Sequence, residues 1–575
     1  MTTPCTERLA PISPAHWTRE TAAHLLERAG FGGTPAEIDR LAALDPVCAV
    51  RSLVGYHSYS VNVALPTFEA SDIWDDSLVQ FPVSRPAATE GAERTGEAMG
   101  VKVKPAGSRP LQPVTNRFFY WLRATTLETR RLSMWWLDRM VRTSAPLEEK
   151  LTLFWHGHFA VSEEKLRDVR KIALYLETLR THAAGNFGDL LNAISKDPAM
   201  LVFLDAAQNV KGAPNENFGR EVMELFTMGV GHYSEDDIRE AARAFTGWGN
   251  DDLKFVFDRA KHDGGEKNFL GYTGAFNGDD ILRIILTQRQ TGIYIASKLY
   301  RFFVREDLSP AFAEELGALM QALNYDISAF LEELFLSEDF YSQPSVGTHI
   351  KSPVELLVST YRKLGLAELP TIPDPVSVTK SLGQVPLYPP TVAGWGSGRS
   401  WMTPGLLFER GNFAKEVMFP NIIEFRDPLY NPGAEVRRVN ANINAGMEIT
   451  KATLEEGASP SATAGIQEAF NTRYASLQGY NEALRRLKPT PRFAANFSLS
   501  QLVLAAGAET TEAAVDHLLV RLLRVPIAPP ARQALIDTLD AELGTTSLLE
   551  AQTYMEYGLR LVAHMIMSAP QYQLA

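Results

Sequence analysis

Apolar residues recur along most of the chain at the spacing of a helix with one buried face. Leu151, Phe154, Trp155, His158 and Phe159 fall at i, i+3, i+4, i+7 and i+8, the stripe that a 3.6-residue period turns toward a core. The same periodicity runs through 287–306, 309–336, 350–366 and 547–567. Some helix starts carry signals of their own. Thr34-Pro35-Ala36-Glu37 predicts a capping box with proline at the first helical position, and Ser234 with Asp237 repeats the device in a weaker form. Strand-type alternation is confined to one place. Phe255 and Phe257 alternate within Lys254–Asp258, and a glycine-rich turn around Asp263-Gly264-Gly265 leads to a short apolar run at Asn268-Phe269-Leu270. The pattern predicts a mainly α protein, a multi-helical array with a small β-hairpin near residues 254–271.

Two stretches break the periodicity. Residues 57–112 scatter Pro, Gly, Ser and Thr, and residues 426–495 are rich in Asn, Ala, Gly and charge. The expected organisation is a main helical domain over 1–430 with an irregular insertion at 57–112. An irregular polar linker or insertion follows at 431–495, then a C-terminal helical segment at 496–575 packing on the main domain. Of the 575 residues, 45% are hydrophobic and 22% charged, the usage of a globular protein with a large core. Acidic residues number 68 against 56 basic, a net charge of −12, and no basic block offsets them. The footprint of a nucleic-acid binder is therefore missing. No run reaches the ~18 consecutive apolar residues that a membrane span needs. The N-terminus shows no apolar segment behind a basic start, so the expected location is cytoplasmic, with export alongside a signal-bearing partner left open. Cys5 and Cys48 form neither a disulfide framework nor a thiolate cluster, so a metal here would rest on His and carboxylate ligands.

Three clusters carry candidate chemistry. In Asn217–Gly229, a helical wheel puts Asn217, Arg220, Glu221 and Glu224 on one side and Phe218, Val222, Leu225 and Phe226 on the other. That polar face is either a site or a surface held by an Arg220–Glu224 ion pair at i, i+4. His156-Gly157-His158 is the second cluster. Positions i and i+2 share a face in a strand but point about 200° apart in a helix. The preceding residues read as helix, so both imidazoles face one ion only if Gly157 ends or distorts it. Otherwise His158 is a core histidine and His156 caps or faces water. The third is the turn Lys261–Lys267, which presents His262 and Asp263. If the three converge, His156, His158, Glu221 and His262 supply ligands for a divalent transition metal (Zn, Fe or Mn), with Glu221, Glu224, Arg220 and Asp263 as catalytic groups. Phe245-Thr246-Gly247-Trp248-Gly249 and Pro389–Gly396 place Trp248 and Trp395 in glycine-bearing loops, where each serves as rigid packing or as a pocket rim. Nucleophile-elbow, phosphate-loop, His-Glu-x-x-His and dinucleotide motifs are missing from the sequence.

The ordered set Phe154–Phe159, Asn217–Gly229, Phe245–Trp248, His262-Asp263 and Pro389–Trp395 resembles the bacterial family catalogued as domain of unknown function 1800. Leu25-Leu26 to Phe31-Gly32, Arg410–Phe413 and the closing Met567–Gln573 extend the resemblance over most of the chain. It implies weight on His156, His158, Asn217, Arg220, Glu221, Glu224, His262 and Asp263. Position 157 departs, since the family commonly places Asn where this chain has Gly157. Members are often encoded beside proteins similar to alkaline phosphatases and sulfatases, which implies a phosphatase/sulfatase-like protein partner, and many carry export signals. Two functional readings follow. One is a metal-dependent enzyme, a hydrolase or an oxidoreductase, with a His/Glu/Asp site. The other is a non-enzymatic accessory or partner-binding protein whose polar cluster is structural. Solvent access separates them: a site needs a cleft, whereas a structural network is sealed.

Overall fold

The computed structural model describes residues 7–58, 64–74, 112–421 and 479–575. Most of the irregular residues 57–112 and 426–495 lie outside these. Both expected capping boxes form. Thr34 Oγ1 accepts the Glu37 N–H at 3.3 Å while Glu37 Oε2 accepts the Thr34 N–H at 2.7 Å, and Ser234 and Asp237 exchange the same pair of bonds. Each satisfies two of the orphan donors at a helix start.

The chain is mainly helical, and the helices follow the apolar periodicity. The stretch 309–336 forms two of them, Pro310–Ala322 and Ile327–Leu336. Between them Asn324 and Tyr325 adopt positive φ values of 49° and 61°, a left-handed turn that no helix continues through. The strands are β1 (Trp248–Asp251), β2 (Lys254–Phe257), β3 (Lys267–Phe269) and β4 (Tyr272–Gly274). β2 pairs back with β1 and β3 pairs forward with β4, so two hairpins stand where the pattern suggested one. Leu270 and Gly271 both have positive φ, 48° and 83°, as a two-residue type I′ turn requires. That turn closes β3 on its nearest neighbour.

A continuous apolar core runs through the molecule and fully buries Trp136 and Trp155. Buried charges are threaded through it in pairs. The long helix Gln112–Arg142 and the helix Pro146–His158 are joined where Glu149 accepts from Trp136 Nε1 at 2.8 Å, from Arg139 and from Arg180 Nε at 2.9 Å. Glu27 of the helix Arg19–Ala29 takes Lys363 Nζ at 2.8 Å, Arg524 Nε at 3.2 Å and Lys351 Nζ at 3.4 Å. The C-terminal helices pack against the same region. Arg521 Nε donates to the Lys363 carbonyl at 2.6 Å, and Lys351 Nζ donates to the Tyr572 carbonyl at 2.9 Å. Among the described residues no helix is long and apolar enough to cross a membrane.

Candidate functional site

The helix Pro146–His158 runs unbroken through both histidines, so their rings diverge as a helix dictates. His156 points into the core. It is fully buried, its Nε2 accepts the Leu387 N–H at 3.2 Å, and the Trp395 ring stands perpendicular to it at 5.2 Å. Burial pulls its pKa down to about 3, so the ring is neutral. His158 points the other way. Its Nε2 lies 3.0 Å from the Phe226 carbonyl oxygen and must donate to it, which leaves Nδ1 as a bare lone pair. Nδ1 has no hydrogen-bond partner among the described residues. Burial first, and the charge of Lys298 second, hold the His158 pKa well below its ordinary value.

His158 lines a cleft of about 670 Å³. One wall is the end of the histidine helix, with Phe154, Gly157 and His158; a second is the helix Arg289–Phe303, with Lys298, Arg301 and Phe302. The segment 393–401, with Trp395, Arg399 and Trp401, supplies the third. This segment sits where it does because Gly394, at φ 83°, presses on the Gly157 backbone, and any Cβ there would overlap the Gly157 carbonyl oxygen. His349 and Glu355 also line the cleft. Glu355 is already engaged by Lys150, by His349 Nε2 at 3.1 Å and by the Ser352 N–H at 2.7 Å.

Lys298 differs from every other group in the cleft. It is half-buried, with its ammonium 5.2 Å from the centre of the Tyr294 ring, and it has no carboxylate partner among the described residues. Desolvation lowers its pKa to about 8, so a substantial fraction of the amine is neutral near physiological pH.

The acidic face predicted in Asn217–Gly229 forms on the helix Glu216–Glu224 and comes near the cleft through Tyr294. Tyr294 hydroxyl donates to the Leu225 carbonyl at 3.0 Å, and its ring lies 6.4 Å from that of His158. Glu221 and Glu224 are half-buried; burial, then the charge of Glu224, raises the Glu221 pKa, and Glu224 accepts from Tyr233 hydroxyl at 2.8 Å. Arg220 turns away from Glu224 and pairs with Glu235 at 2.9 Å and Glu216 at 3.1 Å. Asn217 Nδ2 donates to the Leu204 carbonyl at 3.1 Å.

The turn bearing His262 and Asp263 is a clamp. His262 Nδ1 lies 3.0 Å from the Thr246 carbonyl oxygen, and the Asp263 N–H donates to Thr246 Oγ1 at 2.7 Å. Arg243 Nε donates to Asp263 at 2.8 Å and holds its carboxyl down to about 2. Gly247, at φ 82°, fits under the Asp258 carbonyl where a side chain would collide. These bonds account for the Phe245–Gly249 motif as the seat of the hairpins. Among the described residues no three or more His, Cys, Asp or Glu side chains gather closely enough to hold a metal ion. His156, His158, Glu221 and His262 are therefore not brought together as one ligand set. Helical divergence separates the first two, and Thr246 occupies the last.

The sequence reading passed over Lys298 and Arg301. A signal was present: Tyr294, Lys298 and Arg301 fall at i, i+4 and i+7, a polar stripe in an otherwise apolar helix. A family model described as "Protein of unknown function (DUF1800)" matches residues 24–574. No curated protein and no solved structure matches the chain.

Proposed function

We propose, from the premise that this chain belongs to the DUF1800 family, that it is an enzyme acting on a small molecule in the cleft walled by His158, Lys298 and Trp395, with the Lys298 amine as base or nucleophile. One observation carries the reading: an amine without a carboxylate partner among the described residues stands in a cleft of about 670 Å³ beside a neutral histidine. Burying an ammonium without a counter-ion costs stability, and proteins tolerate that cost where a reaction uses the group. A cleft of this size holds a metabolite-sized ligand. The His158 lone pair is oriented by the bond its other nitrogen makes to Phe226. Glu221 and Glu224 enter as a flanking carboxyl pair on the far side of Tyr294, and Arg220 and Asp263 as the ion pairs that hold the surrounding helices and turn. The accessory-protein reading asks for a sealed polar cluster. His156 meets that description, whereas Lys298 opens on the cleft, with His158 buried in its wall, and favours the enzyme.

Competitive acylation followed by peptide mass spectrometry tests the centre of this reading. Lys298 should acylate with a midpoint near pH 8, the surface lysines near the ordinary value of about 10.4. A panel of small esters, phosphate esters and carbonyl compounds should then contain at least one that the parent turns over and Lys298→Met does not. A Lys298 midpoint indistinguishable from surface lysines would remove the basis of the proposal.

A further inference from the structure

Resting on that reading, we infer that the cleft receives a small oxo acid, a compound carrying a carbonyl group and a carboxylate a few atoms apart, and that the Lys298 amine adds to the carbonyl carbon. The first support is the contrast between Lys298 and the other buried lysines. Lys150, Lys351 and Lys363 each contact a buried carboxylate, which engages their nitrogens as partners in ion pairs. Lys298 has aromatic neighbours, Tyr294 at its ammonium and Phe302 and Trp395 in the same cleft. An amine so placed presents its nitrogen lone pair, and a lone pair in a desolvated cleft is a nucleophile for carbonyl carbon.

The second support is the placement of unclaimed cations. Arg301 lies three residues beyond Lys298, on the same face of the helix, and lines the same cleft with an exposed side chain. Arg399 reaches the cleft from the opposite segment, also exposed. Neither has a carboxylate partner among the described residues, and Glu355, the buried acid of the cleft, is taken by Lys150 and His349. Residues at i and i+3 are about 5–6 Å apart at Cβ. A short carbon chain then lies between the amine and a guanidinium, whose planar fork matches a carboxylate.

The step balances without a further reagent. The neutral amine attacks the carbonyl carbon, and the nitrogen–carbon bond forms as the carbonyl π pair moves to oxygen. One proton passes from nitrogen to that oxygen, giving a carbinolamine. A second proton transfer to the hydroxyl expels water, and the nitrogen lone pair closes the carbon–nitrogen double bond. The sum is amine plus carbonyl giving imine plus water, with no change in oxidation state. The other charged or titratable groups facing this space are Tyr294 and Arg301 on its own helix, and His158, Glu306, His349, Glu355 and Arg399 along the cleft. Glu306 is exposed, and the buried carboxylate among them, Glu355, is engaged by Lys150 and His349.

The test uses the full chain and reductive trapping. Protein is incubated at pH 8 with pyruvate or acetoacetate and cyanoborohydride, then read by intact mass and peptide mapping. One equivalent of reduced adduct is expected, on Lys298, and its loss in Lys298→Arg. Arg301→Met, an exposed substitution, should lower the ratio of pyruvate trapping to acetone trapping about tenfold or more. Adduct spread evenly over surface lysines, or none at all, overturns the inference. Equal trapping of acetone and pyruvate, indifferent to Arg301, overturns the carboxylate half of it. If trapping fails while Lys298 still acylates with a midpoint near pH 8, the oxo-acid inference falls and the broader enzyme reading stands; if the midpoint is also ordinary, both fall.

Discussion

Lys363 and Lys298 are buried to different ends. Lys363 shares Glu27 with Lys351 and Arg524, so one carboxylate serves three cations in the seam where the N-terminal helix meets the C-terminal ones. Lys298 stands on a cleft wall with a tyrosine ring for company. The first arrangement sets its amine against a buried carboxylate and fixes how helices meet, although burial still pulls the Lys363 pKa well below its ordinary value. The second gives up its proton close to neutrality. Pairing marks the lysine that builds the molecule, and the lack of it beside a cleft marks the lysine to which we assign the proposed chemistry.

The harshest way to break this contrast is to remove the shared carboxylate. Glu27→Gln should cost about 3–5 kcal/mol in chemical denaturation at pH 7, because three buried cations lose their counter-ion. Lys363, Lys351 and Arg524, in that order, overcome the burial penalty and hold the Glu27 carboxyl far below its ordinary range. Its contribution is therefore complete above the unfolded value of about 4.3 and fades as pH falls toward the depressed one. The acid limb of the stability curve should flatten in the variant. Gly394→Ala comes next. A left-handed backbone and an overlap with Gly157 should cost about 1–3 kcal/mol, and displacing the segment should return Lys298 toward ordinary acylation and shift the Trp395 fluorescence.

Lys298→Met should leave stability at pH 7 unchanged or raise it by about 1 kcal/mol, since an unpaired charge leaves a poorly solvated place. Desolvation lowers the Lys298 pKa to about 8, so between that value and about 10.4 the unfolded chain holds a proton that the folded one has released. Parental stability should therefore climb as pH rises across this window, and the climb should be missing in Lys298→Met, as urea midpoints at pH 7, 9 and 10.5 would reveal. The smallest effect belongs to Asp263→Asn. Its pair with Arg243 is partly exposed, and the loss should stay within about 1 kcal/mol with the Lys298 acylation profile untouched.

What the sequence disclosed depended on how local the signal was. The capping boxes at Thr34 and Ser234 and the stripe Leu151–Phe159 are written within a few residues, and all of them formed. The single expected hairpin became two because turn geometry at Leu270-Gly271 decides pairing more strongly than apolar alternation does. Asn217–Gly229 was legible as an amphipathic helix, yet the partners of Arg220 were not: it turns back to Glu216 rather than forward to Glu224, and Glu235 belongs to the next helix. His158 stood out by its motif. Lys298 did not, because its character comes from surroundings on the histidine helix and the tryptophan segment, each about a hundred or more residues away along the chain. The ligand set drawn from His156, His158, Glu221 and His262 had suitable donor atoms but lacked convergence, which residue type alone does not encode.

Gly157 faces the same cleft, and a Cβ there would meet only Trp395, at 3.9 Å, an ordinary contact. The backbone therefore accepts a larger residue at this place. Anything beyond that first carbon would grow into the open space of the cleft. One codon thus sets the calibre of the chamber: any side chain at this position would narrow it, without touching Lys298 or His158.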